Sequence, residues 1–290
     1  MKGTLMKKLL LATMGLTVLM YTGAALAEQA EWRSWPLGQR FTVGISAFRP
    51  KIDTKVSLTA GPIQGTIDFE QNLGLDDTES VPLANLRWRF FKRHTFRIDY
   101  FDLDRSGAGL APVDIRLCPN GVCSPPLPID WPVNSFIDVK ALNFGYDYSI
   151  IFNEKLEWSI GLGLSLQDFT LGLLTDDPLD PGTPIDVESD FVAPLPTIAT
   201  TFSYAFTDKW ILDLSFNWLD VDVDLDNSGK FDGRILAFDG GIRWQTWEHV
   251  GFALKYTAYD LEIDVDDGDD FAGVVDYRYR GPRFGVNIYF

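Results

Sequence analysis

The sequence predicts an all-β protein whose strands close into an antiparallel up-and-down barrel, apolar outside and polar within. Three observations lead there. Apolar and polar residues alternate with period two from Arg40 onward, as in strands with two chemically different faces. Turns of two or three residues alternate with long polar stretches. No interior run of about twenty apolar residues exists from which a membrane helix could be built. Inside a bilayer every backbone N–H and C=O must be paired, which only helices and closed barrels achieve. Without a candidate helix, the long greasy strand faces point to a transmembrane β-barrel.

The strands read in order. Phe41, Val43, Ile45 and Ala47 open the series. Leu86/Trp88/Phe90 and Phe96/Ile98/Tyr100 flank the short turn Lys92-Arg93-His94. Leu142, Phe144, Tyr146, Tyr148, Ile150 and Phe152 share one face and alternate with Asn143, Gly145, Asp147 and Ser149. After Asn153-Glu154 comes the clearest stripe, Leu156, Trp158, Ile160, Leu162, Leu164 and Leu166. Ile198/Phe202/Tyr204/Phe206 and Trp210/Leu212/Leu214/Phe216/Trp218 flank Thr207-Asp208-Lys209. Leu236/Phe238/Ile242/Trp244 and Val250/Phe252/Leu254/Tyr256 flank Glu248-His249, and Phe284/Val286/Ile288/Phe290 close the chain. This predicts ten strands, with eight and twelve as alternatives. The ambiguous region is 50–80, where Ile52/Thr54/Val56/Leu58 and Ile67/Phe69 read as an extracellular hairpin or as a further strand pair. The polar stretches 106–136, 175–190, 219–232 and 262–272 are expected as long outer loops opposite short periplasmic turns.

The first 27 residues have the layout of a secretory signal: Lys2, Lys7 and Lys8, the apolar run Leu9 to Tyr21, and cleavage after Ala27 in Ala25-Leu26-Ala27. Residues 28–39 are then a periplasmic N-terminal segment and 40–290 the barrel. Loss of the three lysines takes the formal charge from −16 to −19. So acidic a chain lacks the basic footprint that nucleic acid requires. Aromatics make up 14% of the residues, with 9 Trp and 10 Tyr, as girdles at two membrane interfaces need.

The last eight residues alternate apolar and polar and stop on Phe290. Arg283, Gly285, Ile288 and Phe290 fall in the slots of, and resemble, the C-terminal assembly signal of bacterial outer-membrane barrels. The resemblance implies insertion by the barrel-assembly machinery into the outer membrane of a Gram-negative bacterium, beside lipid and lipopolysaccharide. By layout, residues 40–290 resemble the small outer-membrane barrels of the OmpA-barrel and OmpW types. Thr66–Asp77 and Asp276–Pro282 resemble stretches of a recurring proteobacterial barrel family without an assigned activity.

Strand parity sends Arg87, Arg89, Arg97, Arg243, Lys255 and Arg283 into the lumen, against Asp99, Asp147, Glu157, Asp213 and Asp239. Unpaired charges in a narrow tube cost several kcal/mol each, so a cross-strand ion-pair network is expected. The alternative is a charged constriction that selects solutes. One wall is small, from Gly145 and Ser149 through Ser159, Gly161, Gly163 and Ser165 to Thr197, Ala199, Thr201, Ser203 and Ala205. Such a wall accommodates bulky partners opposite it or leaves a cavity.

Cys118-Pro-Asn-Gly-Val-Cys123 turns on Asn120-Gly121, and an exported chain meets an oxidising compartment, so a loop disulfide is expected. Asp224, Asp226, Ser228 and Asp232 resemble ligand positions of a calcium loop, but Ile235 stands where the bidentate Glu belongs. No dedicated cofactor is expected, only weak Ca²⁺ or Mg²⁺ binding at acidic outer loops. Known barrel enzymes of the outer membrane generally use a His near the outer rim. Here His94 and His249 both fall in predicted periplasmic turns. The expected role is therefore structural, interactive or that of a narrow solute channel, without catalysis; the alternative is a hydrolase acting on lipid A or peptides at the outer rim.

Overall fold

The computed structural model describes residues 31–60, 63–111, 128–177, 179–225, 229–266 and 271–290. A short 3-10 helix, Glu31–Ser34, precedes β1 (Phe41–Phe48), β2 (Lys51–Ala60), β3 (Ile63–Asp68), β4 (Val81–Phe91), β5 (His94–Leu110) and β6 (Pro132–Phe152). β7 (Leu156–Asp177), β8 (Asp180–Ala205), β9 (Trp210–Leu225), β10 (Gly229–Trp244), β11 (Val250–Asp266) and β12 (Phe271–Tyr289) follow. From β4 to β12 each strand pairs with the next, and β1 pairs with both β4 and β12, which closes the sheet. No edge is left free at the seam: Phe290 and Phe41 exchange backbone hydrogen bonds at 3.0 and 3.1 Å.

β1 and β2 are one barrel strand in two pieces. β1 pairs with the stretch of β12 from Arg283 to Tyr289, and β2 with the stretch from Phe271 to Arg280. Pro50, which has no N–H to donate, marks the break. Gly281 admits it: a Cβ there would lie 2.2 Å from the Arg49 carbonyl oxygen. β2 then turns into β3 instead of pairing with β4, so region 50–80 adds a hairpin and the barrel has ten strands.

The short turns all lie at one end, here the turn end; the other is the loop end. Between them the outward positions form an apolar band that includes Ile45, Trp158, Leu162, Ile198, Trp210, Leu254 and Phe284, all exposed. Among the described residues, much of the expected long loops is strand. β7 runs to Asp177 and β8 starts at Asp180; β9 and β10 are in register from Leu225 opposite Gly229. The reason lies in residues such as Asp220, Val221 and Asp222, which continue the period-two alternation with acid outside and valine inside, a pattern as good for a barrel wall in water as for one in lipid.

Candidate functional site: the barrel lumen

The lumen is built in three layers. At the turn end the chain before β1 folds into the barrel mouth. Leu37 is fully buried against Phe152, Ala205 and Ile211, with Trp32 and Trp35 packed around them. Trp35 lies 5.4 Å from the Phe152 ring, and the Lys92 ammonium 5.2 Å from the Trp35 ring. Phe152 departs from its expected outward direction. A bulge between Ser149 and Ile151 shifts the ladder by one residue and turns Phe152 inward.

The middle layer is charged. Glu157 accepts from Arg87 at 2.8 Å, from Arg89, and from the Ser149 hydroxyl at 2.7 Å. Arg97 grips Asp147 through two nitrogens, and Arg243 grips Asp213 at 3.0 and 3.2 Å while the Ser203 hydroxyl donates to Asp213 at 2.7 Å. Asp239 collects Lys255 and Thr257 at 2.8 Å each and Arg283 at 2.9 Å. Two of the clusters tie strands that are not neighbours, Arg87 and Arg89 of β4 to Glu157 of β7 and Arg283 of β12 to Asp239 of β10, while Arg97–Asp147 and Arg243–Asp213 join neighbouring strands. All eleven charged residues read as lumenal by parity do face inward, ten of them in these four clusters. Asp99 lines the space between clusters, in the field of Arg97, Arg283 and Lys255.

The small wall makes this possible. A Cβ on Gly161 would meet an Asp147 carboxylate oxygen at 2.3 Å, and one on Gly145 the Arg97 guanidinium at 3.2 Å. What the ion pairs leave is a chamber of about 300 Å³, lined by Asp99, Asn143, Thr197, Thr201, Asn217 and their neighbours. It has room for on the order of ten waters.

The loop-end layer is aromatic and then aliphatic. Tyr259 and Tyr279 stack at 4.9 Å over the chamber, and Gln167 donates to the Tyr259 hydroxyl at 2.6 Å. Beyond them Ile52, Leu73, Leu103, Val139 and Leu261 are each at most 2% exposed. Leu73 and Leu75 belong to segment 69–80, which dips inside the wall. Leu75 bridges Gly107, and the Leu110 N–H donates to the Asn72 carbonyl at 3.0 Å. The bare wall at Gly107 and Gly109 is required, because a Cβ there would lie 2.2 Å from the Gly74 oxygen and 2.3 Å from the Asn72 oxygen. Gly74 itself has φ +68°, a conformation that suits glycine. Arg105, buried, holds the segment by donating to Glu70, to the Thr54 hydroxyl at 2.8 Å and to the Asp76 carbonyl at 3.4 Å.

Sequence reasoning missed the Arg105–Glu70 pair and the loop-end layer because 106–136 read as loop. The available signal was Gly107 and Gly109 at lumenal parity directly after Arg105.

The other predicted positions are placed as follows. Arg283 and Gly285 face the lumen, while Ile288 and Phe290 are exposed outside. Asp224 in β9 stands opposite Lys230, and Asp232 in β10 opposite Asp222 and Asp264. Ala27, Cys118, Cys123, Asp226 and Ser228 lie outside the described residues. The described residues hold one carboxylate group with metal-ligand spacing elsewhere, Asp102, Asp104 and Asp138 on the outer face of β5 and β6, with oxygens within 4.8 Å of one another. His94 and His249 sit at the turn end, bonded to the Tyr146 hydroxyl at 2.7 Å and the Tyr289 carbonyl at 3.1 Å.

The structure is similar to that of outer membrane protease OmpT from Escherichia coli, with a TM-score of 0.51, 10% identity, and coverage of 86% of this chain and 97% of that one. It is also similar to Neisserial surface protein A (TM-score 0.33, 13% identity, 86% and 97% coverage) and to the Pseudomonas putida toluene transporter TodX (0.34, 10%, 87% and 90%). No protein-family profile matches the sequence, and no curated protein sequence matches it. The chain has the fold of outer-membrane β-barrel proteins: a closed antiparallel barrel of ten strands.

Proposed function

We propose that the chain is an integral outer-membrane protein of a Gram-negative bacterium, a structural or interaction barrel that neither catalyses a reaction nor offers an open diffusion path. The outward apolar band supports the membrane assignment, and with it the turn end lies in the periplasm. The observation that carries the closed-lumen reading is the plug at each end. Leu37 at the turn end is 0% exposed and Leu73 at the loop end 1%, with the charged belt clenched between them. A solute entering from either side meets packed apolar side chains before it reaches the chamber.

Planar-bilayer recording of the refolded protein tests this. Silence up to high voltage is expected; steady conductance would replace the closed reading with the narrow-channel one. The absence of catalysis is a reading of the two histidines, both held at the end away from the outer rim. It is tested by lipid A mass spectra from cells with and without the protein, which should be identical.

A further inference from the structure

We infer that the outer face of β1, β2 and β12 binds a phosphate-bearing acyl lipid of the outer leaflet, with its chain in a wall groove and its phosphate on a basic cluster above. This rests on the outer-membrane reading and adds a specific site to it.

The groove comes first. Ala47 of β1 is in register with Phe284 of β12 on one side and with Pro82 of β4 on the other. A small side chain between larger ones leaves a slot of about 450 Å³ on the barrel exterior, walled by Ile45, Phe284, Val286 and Pro82. Its lining is apolar, and Ile45 and Phe284 are 67% and 54% exposed. The fold makes the slot here because this is where the wall is interrupted. β1 breaks at Pro50, and β4 starts only at Val81, so the surface steps inward.

The next outward positions above the slot are basic. The Arg49 N–H donates to the Pro282 carbonyl at 3.1 Å, and Lys51 is the register partner of Arg280, so three cationic side chains emerge from adjacent strands. All three are exposed. Lys51 reaches Asp77 at 3.7 Å in a solvated pair, while Arg49 and Arg280 make no ion pair among the described residues. Elsewhere beyond the apolar band bases stand singly among acids, as Lys140 between Asp102 and Asp168, Arg234 opposite Asp220 and Arg278 opposite Asp260, whereas Arg49, Lys51 and Arg280 stand together; the whole chain carries −16. A basic cluster over a greasy slot on so acidic a protein is the complement of an anionic amphiphile. Guanidinium groups match phosphate oxygens with paired hydrogen bonds. The height fits: Pro282 is the register partner of Tyr256, an exposed aromatic of the kind that settles among headgroups.

The test reconstitutes the full chain in phosphatidylcholine nanodiscs doped with bis-phosphorylated lipid A as the probe. Retained lipid A is counted by native mass spectrometry. Wild type should keep the probe, and combined R49A, K51A and R280A should lower retention about tenfold or more. Ala47→Phe, which fills the slot and leaves the cations intact, should also lower it, and Lys155→Ala at the opposite end should not. Dephosphorylated lipid A should bind poorly. Unchanged retention in the triple variant or in Ala47→Phe overturns the inference, as does full displacement by inorganic phosphate, which would mark a soluble-anion site. A heat-dependent gel shift shows that each variant is folded. If wild type fails to enter the nanodisc, the outer-membrane reading falls and this inference with it; insertion with undiminished retention in the variants sinks the inference alone.

Discussion

Arg89 donates to Glu157 from a position wholly sealed from solvent, with its guanidinium 4.3 Å from the centre of the Phe152 ring. That contact ties the charged belt of the lumen to the plug at the turn end, so the two layers stand or fall together.

Removing one partner of a buried pair leaves the other charge stranded. Glu157→Ala strands both Arg89 and Arg87, and we expect a loss of about 3–5 kcal/mol. The urea midpoint of the refolded barrel, followed by Trp fluorescence, measures it. Replacing Glu157, Arg89 and Arg87 together by Met should recover most of the loss; no recovery would mean that the cluster itself stabilises the barrel.

The turn-end plug depends on Leu37. Leu37→Asp puts a carboxylate among Phe152, Ala205 and Ile211, where no solvent reaches. The segment should leave the mouth, with faster tryptic cleavage at Arg33 and Arg40 in the folded barrel. Cleavage at the wild-type rate would show that the segment stays in place without it.

At the loop end, Gly107→Val drives a side chain into the backbone at Gly74. Segment 69–80 should lose its seat while the barrel persists. Hydrogen exchange of the Leu75 and Leu110 amides should accelerate by orders of magnitude, with the amides of β10 unaffected.

Closure of the seam relies on Phe290, whose backbone exchanges hydrogen bonds with that of Phe41 in both directions. Deleting Phe290 should cut the yield of heat-shifting, folded barrel severely both in cells and in detergent refolding. A yield equal to wild type would leave Tyr289 and the residues before it sufficient.

Asp276 stands on β12 beyond the apolar band, opposite Glu262 and 2.7 Å from Arg278. Burial pushes its carboxyl above the ordinary range, and Asp260 and Glu262 add to this while Arg278 opposes it. A carboxyl that keeps its proton longer folded than unfolded makes the fold lose stability as pH rises from about 4 to its raised value. Asp276→Asn should flatten the urea-midpoint profile across that window, and an unchanged slope would place the effect elsewhere.

Much of the barrel was legible in the sequence because parity along a strand is local. Leu156 to Leu166 point outward and Glu157 to Gln167 inward whatever the rest of the chain does. The same rule placed Arg97 and Asp147 in the lumen before any partner was known. It failed at Phe152, where a bulge resets the count, and it says nothing of Leu73, which lies in a segment between strands that folds inward.

The sequence by itself determined the class of fold, the inward or outward direction of most side chains, and the balance of charge in the lumen. Only the tertiary structure decided which carboxylate meets which arginine, that Leu37 and Leu73 pack inside the two ends, and that a slot opens beside Ala47. Those outcomes depend on register, curvature and closure, which bring together residues as far apart in the chain as Arg89 and Glu157 or Ala47 and Phe284. Side-chain direction repeats every two residues, but proximity across a closed wall is set by the whole ring at once.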